Sequence, residues 1–314
     1  MIERADPQGP VVVIGASGID LVGKLDGPLS TGTSNPGRLR MSQGGVARNV
    51  AENLARLGVE AVLITAVGDD PTGSQILEGA EAAGVQVEYS VRVPGAHTGS
   101  YLALLDEHGV LHAGVDDMRV IESLTPDDLR RAEPALASAQ AMFLDANLSE
   151  GTLAAALETA QRLGLRVAAD PTSRVLARRL IPHLSALWLV TPNQAEAAVL
   201  SPASTLVSGR VQGQDAARQL VAAGVQIAVV TLAEFGVAYA SADLSGHVPA
   251  LRTEIADPTG AGDALTAALL FALLHDIQLD EAVRLGASAA ALTLRTPGTV
   301  VPNLSLELLY DQLR

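Results

Sequence analysis

A glycine-rich run, Asp257-Pro258-Thr259-Gly260-Ala261-Gly262-Asp263, leads directly into the apolar stretch Ala264-Leu265-Thr266-Ala267-Ala268-Leu269-Leu270. A turn of this kind opening into a helix leaves unpaired N–H groups at the positive end of the helix dipole, which seats an anion. Asp263 is out of place for anion binding alone, because its carboxylate repels a phosphate. It is in place if a hydroxyl must give up its proton beside the anion, and that combination is the chemistry of phosphoryl transfer to an alcohol. A purely structural reading, a tight turn with Asp263 stabilising the helix start, explains the local residues equally well.

Strands and helices must hold these residues. Val11-Val12-Val13-Ile14 is a β-branched run ending in Gly15-Ala16-Ser17-Gly18, so a buried strand enters a turn there, with Asp20 at its carboxyl end. The glycines lack the third member of a dinucleotide fingerprint. Residues 23–43 are rich in Gly, Ser, Thr and Pro without helical period, and read as a loop or as short strands of an appended sheet. Gly44 and Gly45 open a helix that runs to about Leu57, with Val46, Val50, Leu54 and Leu57 as its apolar stripe and Arg48, Glu52 and Arg56 turned away. Asn49 flanks that stripe, one turn from Asn53, which reads as a hydrogen-bonded amide at the edge of the core. Residues 61–67 read as the next strand and 73–83 as a helix. Tyr101-Leu102-Ala103-Leu104-Leu105 and Val110-Leu111-His112-Ala113 flank Asp106-Glu107-His108-Gly109 as a β-hairpin, which interrupts the alternation and implies an inserted small sheet.

The strand–helix alternation then resumes, with Thr125-Pro126-Asp127-Asp128 as a helix start. Strands at 141–144, 166–169, 187–190 and 227–230 lead to Asp145-Ala146-Asn147, Asp170, Asn193 and Thr231. Repeated βα units predict a mostly parallel sheet covered by helices on both faces. Asp20, Asp145, Asn147, Asp170, Asn193 and Thr231 all follow strands, and the carboxyl edge of an open α/β sheet is where ligands bind. Six polar residues at one edge predict a cleft.

Composition narrows the partner. The 314 residues are 48% hydrophobic and 18% charged, with a formal net charge of −14, as expected of a folded soluble chain. That charge argues against nucleic acid as a partner, and a phosphate ligand would need a divalent cation and backbone dipoles to hold it. Lys24 is the only lysine, and Gly23-Lys24-Leu25 does not continue as a phosphate-binding loop. The lack of cysteine excludes disulfides, thiolate metal sites and cysteine nucleophiles, and fits a reducing cytoplasm. Apolar runs are short, so no membrane span is expected. Met1-Ile2-Glu3-Arg4-Ala5-Asp6 puts charge where a signal peptide needs an apolar core.

Two longer segments carry a resemblance. Gly44-Gly45-Val46-Ala47-Arg48-Asn49-Val50-Ala51-Glu52-Asn53-Leu54-Ala55-Arg56-Leu57-Gly58 resembles the N-terminal signature of the ribokinase-like (PfkB) carbohydrate kinase family. The opening stretch, from Asp257 to Ala268, resembles its C-terminal signature, and Asn193-Gln194-Ala195-Glu196 matches its Asn-x-x-Glu motif. The resemblance implies a single α/β domain over residues 1–314, a three-layer sandwich with a mostly parallel central sheet. A small β-sheet lid would come from parts of 23–43 and 85–114. It implies ATP-dependent phosphorylation of a sugar hydroxyl, with Asp263 taking the proton and the N–H groups of Gly260, Ala261 and Gly262 facing the developing charge. On this reading Asp263 needs no raised pKa if the proton moves late. Asp20, Gly44, Gly45 and Asn49 would hold the sugar, and Asn147 would be a further contact or a helix cap. Asn193, Thr231, Ala233 and Gly236 would join Gly260 and Gly262 around the nucleotide, and Glu196 with Asn193 would hold Mg2+ through water. Many members also bind a monovalent cation such as K+ beside the segment matching Asp257 to Thr259, and form homodimers through the lid.

Within the family, shorter segments resemble the subgroup that phosphorylates pseudouridine. They are Thr33-Ser34-Asn35-Pro36-Gly37, Arg48 before Asn49, the strand at 101–106, Asp116-Asp117-Met118, Asp145-Ala146-Asn147-Leu148-Ser149 and Asp170-Pro171-Thr172-Ser173. They imply the ribose 5'-hydroxyl of pseudouridine as acceptor, with ribose, other nucleosides and fructose-like sugars as alternatives. One segment departs from the family. Thr231-Leu232-Ala233-Glu234-Phe235-Gly236 stands where Thr-x-Gly-x-x-Gly is usual, so either the turn has a negative φ at Ala233 or phosphate contact is altered. Retention of Asp263, its glycines and Glu196 favours a kinase over a sugar-binding protein of the same fold. A nicotinamide-dependent dehydrogenase would need the missing glycine fingerprint.

Overall fold

Fourteen strands occur among residues 9–201 and 208–314, which the computed structural model describes; the segment 1–6 read above lies outside them. In chain order they are β1 (Val11–Ile14), β2 (Gly18–Leu25), β3 (Gly37–Gly44), β4 (Ala61–Ile64), β5 (Ala66–Gly68), β6 (Val91–Val93) and β7 (Gly99–Leu105). Then follow β8 (Leu111–Asp117), β9 (Ala141–Asp145), β10 (Arg166–Asp170), β11 (Leu189–Val190), β12 (Ile227–Thr231), β13 (Val237–Ser241) and β14 (Ser245–Val248). Eight of them form one sheet in the order β14-β13-β12-β11-β10-β9-β1-β4. From β4 to β12 the strands run parallel, and β13 and β14 return antiparallel.

The period-two alternation of side chains sorts the strand residues into two cores. Val11, Val13, Leu63, Phe143 and Val229 face one side, beneath the helices Val46–Arg56, Pro71–Ala82, Ala261–Leu274 and Leu279–Leu294. Val12, Ile14, Ile64, Met142, Leu144 and Val230 face the other, beneath Glu150–Leu163 and Arg210–Ala222. The Ala261–Leu274 helix is apolar all round and buried from Ala264 to Leu273, as a helix in a core must be. Asp263 therefore sits on one of the most deeply anchored elements. β1 connects to β4 on one side and has β9 on the other, so the connections diverge at the β1–β9 boundary and leave a crevice there.

A second sheet has the order β3-β2-β7-β8, with β2 and β7 parallel and the other pairs antiparallel. Two expectations change here. Residues 61–67 are not one strand: Thr65 separates β4, in the large sheet, from β5, which pairs with β6. The turn after β1 is short, Gly15 to Ser17, and Asp20 does not stand at the end of β1. Gly18–Leu25 is a strand of the second sheet, which therefore takes in residues before 23 and runs on to Asp117. β2 fills its ladder on both sides from β3 and β7, a pairing that no local pattern announces. Asp20 thus reaches the crevice from the second sheet, while the other five polar residues lie at or just beyond strands of the large one. Among the described residues no helix is long and apolar enough to cross a membrane.

Candidate active site

Gly260 begins the Ala261–Leu274 helix with a φ of 80°, in the left-handed region that glycine enters freely, and no side chain caps this end. A Cβ there would lie 2.2 Å from Thr299 O, so the turn is packed backbone against backbone. The first-turn N–H groups have no helical partner, and nothing lies within 4 Å of a Cβ placed on Gly262. That end has the donors and the space beside Gly262 to seat an anion.

Asp263 lies in this first turn and keeps partial exposure. Asn49 Nδ2 donates to Asp263 Oδ2 at 2.7 Å. Burial pushes its carboxyl up to about 7; Asn49 pulls it down, Asp20 and Asp145 push it up, and Arg48 pulls it down. A raised carboxyl is not required if the proton moves late; here the surrounding protein, more than any single neighbour, disfavours the charge. A base poised near neutral pH suits proton removal from a hydroxyl.

Asn49 comes from the Val46–Arg56 helix, in which every residue from Ala47 to Leu54 is buried. Arg48 and Glu52 do not face away as expected; they form a buried ion pair, and Arg56 Nη2 donates to Glu52 Oε1 at 3.1 Å. Asn53 Nδ2 donates to Asn49 O at 2.8 Å, as foreseen, but the residue is fully buried and its Oδ1 has no partner among the described residues. Gly45 precedes the helix with a φ of 94°, and a Cβ there would lie 2.5 Å from Ala16 O. A Cβ on Gly44 would meet the Asp20 carboxylate at 2.2 Å. Both glycines thus permit close approach. Asp20 is itself buried, and that burial pushes its carboxyl up to about 6 against the pull of Arg48 and Arg40.

Asp145 ties the crevice together. Its carboxylate accepts from Ala16 N at 2.7 Å, Ala47 N at 3.2 Å, and the N and Nδ2 of Asn147 at 3.0 Å. The end of β1, the start of the Asn49 helix and the end of β9 therefore share one buried acid. Asn147 is not a helix cap; Ser149 is, accepting from Thr152 N at 3.2 Å.

Further along the edge, Asn193 and Glu196 close a reciprocal capping box. Asn193 N and Nδ2 donate to Glu196 Oε2 and Oε1 at 2.8 and 2.6 Å, while Asn193 Oδ1 accepts from Ala195 N and Glu196 N. Two donors already occupy the Asn193 oxygen, and its N and Nδ2 hold the Glu196 carboxylate in place. Glu196 keeps acceptor capacity on both oxygens, which suits a metal-bound water. Among the described residues no group of three or more His, Asp or Glu converges as a metal cage. Asp170, at the end of β10, lies between the two ends of the site. Burial first, then Glu196, Asp263 and Asp145, raise its carboxyl well above the usual range.

Thr231 lies beside Asn193, its N donating to Pro192 O at 2.9 Å. Ala233 has a φ of 51° and Gly236 a φ of 91°, so the turn keeps its left-handed shape and the negative-φ alternative is overturned. Alanine is strained there by about 1 kcal/mol. Ala233→Gly is expected to raise the thermal midpoint by roughly 2 °C, read by differential scanning calorimetry; an unchanged or lower midpoint would refute the strain.

Asp257 is buried and ion-paired with Arg40 of β3, and accepts from Thr259 N at 3.0 Å. Arg40, Arg48 and Thr299 were not recognisable as site residues from their types alone. The one available signal was Arg48 directly before Asn49.

The family model for pfkB family carbohydrate kinases matches residues 9–305. Pseudouridine kinase of Escherichia coli (strain K12) is 33% identical over 297 residues, 94% of each chain. Guanosine-inosine kinase of Exiguobacterium acetylicum is 29% identical over 94% of this chain and 97% of its own. The structure of Arabidopsis thaliana ribokinase complexed with ribose and ATP has the same fold, with a TM-score of 0.82 at 21% identity, covering 98% of this chain and 99% of that one. The chain belongs to the pfkB family of carbohydrate kinases and is a phosphotransferase acting on a sugar or nucleoside hydroxyl.

Proposed function

We propose that the protein transfers the terminal phosphoryl group of ATP to the ribose 5'-hydroxyl of pseudouridine. The observation that carries the chemistry is Asp263, a carboxyl raised to about 7, held by Asn49 at the uncapped start of a buried helix. Asp263 accepts the proton as the hydroxyl attacks. The N–H groups of Gly260, Ala261 and Gly262 meet the charge on the transferred group, in a reaction governed by positioning and electrostatics. Asp20, Asn49 and Asn147 orient the acceptor, with Gly44 and Gly45 allowing it to approach the backbone. Thr231, Ala233 and Gly236 lie on the nucleotide side. Mg2+, held through water by Glu196, would neutralise phosphate charge.

Pseudouridine is favoured by the 33% identity to a pseudouridine kinase over nearly the whole chain, although a purine nucleoside kinase is also similar. The test is ADP release with Mg-ATP across pseudouridine, uridine, inosine, ribose and fructose. The expected kcat/KM for pseudouridine is about tenfold or more above the others, a difference of about 1.4 kcal/mol. A value no better than that for ribose overturns the acceptor.

The outward face of the second sheet supports a homodimer. Met41, Leu21, Leu102 and Val115 are direct neighbours across β3, β2, β7 and β8. Met41, Leu102 and Val115 are 61%, 43% and 61% exposed, an apolar row that a second copy would cover. Light scattering is expected to give twice the chain mass, and Met41→Asp to give a monomer. A monomeric parent protein excludes the contact.

A further inference from the structure

We propose that Arg48 is a positioning residue that fixes which end of the Asn49 amide faces Asp263; this rests on Asp263 being the base. Arg48 Nη1 donates to Asn49 Oδ1 at 3.0 Å, and Asn49 Nδ2 donates to Asp263 Oδ2 at 2.7 Å. A guanidinium can only donate and a carboxylate can only accept, whereas an amide has one end of each kind. Turned over, Asn49 would set its oxygen against the carboxylate and its NH2 group against the guanidinium. Arg48 makes that orientation unfavourable at both ends.

The guanidinium is itself held from three directions. Nη2 pairs with Glu52 and donates to Gln43 Oε1 at 3.1 Å, and Nη1 reaches Thr299 Oγ1 at 3.3 Å. Glu52 is braced in turn by Arg56. Burying such a pair is expensive compared with apolar packing of the same volume, so its presence beside the base fits a role in polarity as much as in stability. The charged groups facing Asp263 are Asp20 from β2, Asp145 from β9, Asp170 from β10 and Arg48 itself. Asp20 and Asp145 push its carboxyl up, and Arg48 pulls it down both by charge and through Asn49.

Arg48→Lys separates the two effects. It keeps the positive charge, but one ammonium lacks the planar fork that serves Glu52 and Asn49 together. With the amide free to turn over, Asp263 loses the hydrogen bond that favours its ionised form, and its pKa rises. The base works only when ionised, so activity falls as pH drops through that pKa, and a higher pKa moves the acid limb to higher pH. In kcat/KM against pH, the parent limb is expected near 7. Arg48→Lys should move it up by about one unit, lowering kcat/KM at pH 7 by roughly fivefold while recovering to within about twofold above about pH 8.5. Arg48→Gln, which loses the charge as well, should move it further.

Circular dichroism and thermal melting report whether each variant folds; Arg48→Lys, retaining the pair with Glu52, carries the test if Arg48→Gln does not. A limb that stays in place, or a loss of equal size at every pH, means that Arg48 only braces the helix and overturns the inference. Asp263→Asn separates this failure from a deeper one. If that variant is folded and active, the base reading falls; if it is inactive and the Arg48→Lys limb is unmoved, only the role of Arg48 falls.

Discussion

Asp263→Asn is expected to lower kcat by about 10³-fold or more while leaving the protein folded and able to bind Mg-ATP. A positioned general base contributes about 10²–10⁴-fold, and here it also stands where the attacking hydroxyl must be aimed. The substitution keeps size and shape, and Asn49 can still donate to the new amide oxygen, so the crevice has no reason to rearrange. It also removes an ionisable group that burial disfavours. The thermal midpoint should therefore stay level or rise. Single-turnover rates with saturating acceptor, beside a melting curve, decide the matter. Turnover within tenfold of the parent in a folded variant would show that the proton leaves by another route.

Gly260→Ala should damage both activity and stability. Its φ of 80° disfavours any side chain, and the added methyl would lie 2.2 Å from Thr299 O, a backbone atom that cannot swing aside. Either the turn or the Thr299 segment must move. If the turn moves, the N–H groups of the anion seat leave their places, and losing one such donor costs about 10²–10³ in kcat. If Thr299 moves, its hydrogen bond to Gln43 O at 2.8 Å and its contact with Arg48 go with it. The strain alone is worth about 2 kcal/mol, or a melting point lower by roughly 5 °C. Gly262→Ala is the control. Space around that position is open, so its melting point should hold while the KM for ATP rises. A Gly260→Ala protein with parental kcat and melting point would mean that the turn is not constrained.

The frame of this protein was readable because its signals are local. Short apolar runs, glycines at helix ends and the polar residue after each strand located β1, β9, β10 and β12 and the edge that they share. What escaped depends on contacts between distant segments. Gly18–Leu25 shows no strand pattern of its own, and only the pairing with β3 and β7 on either side makes it one. Arg48 and Glu52 sit four residues apart, as solvent-facing pairs on helices often do. Only the approach of Gln43 and Thr299 makes that face an interior one. The raised carboxyl of Asp263 likewise comes from enclosure by segments gathered from Asp20 to Asp145, which no spacing encodes.

The ion pair between Arg40 and Asp257 joins two parts of the molecule that, on the proposed function, serve different ligands. Arg40 belongs to the second sheet, whose β2 carries Asp20 toward the proposed acceptor site, while Asp257 begins the loop that ends at the proposed anion seat. Any ligand that changes how closely this sheet lies against the core also changes the restraint on that loop. Linkage is reciprocal, so whatever factor the acceptor applies to nucleotide affinity, the nucleotide must apply to acceptor affinity. The order in which the two substrates enter is then a matter of kinetics alone, since neither can prepare the site for the other without being prepared for in return.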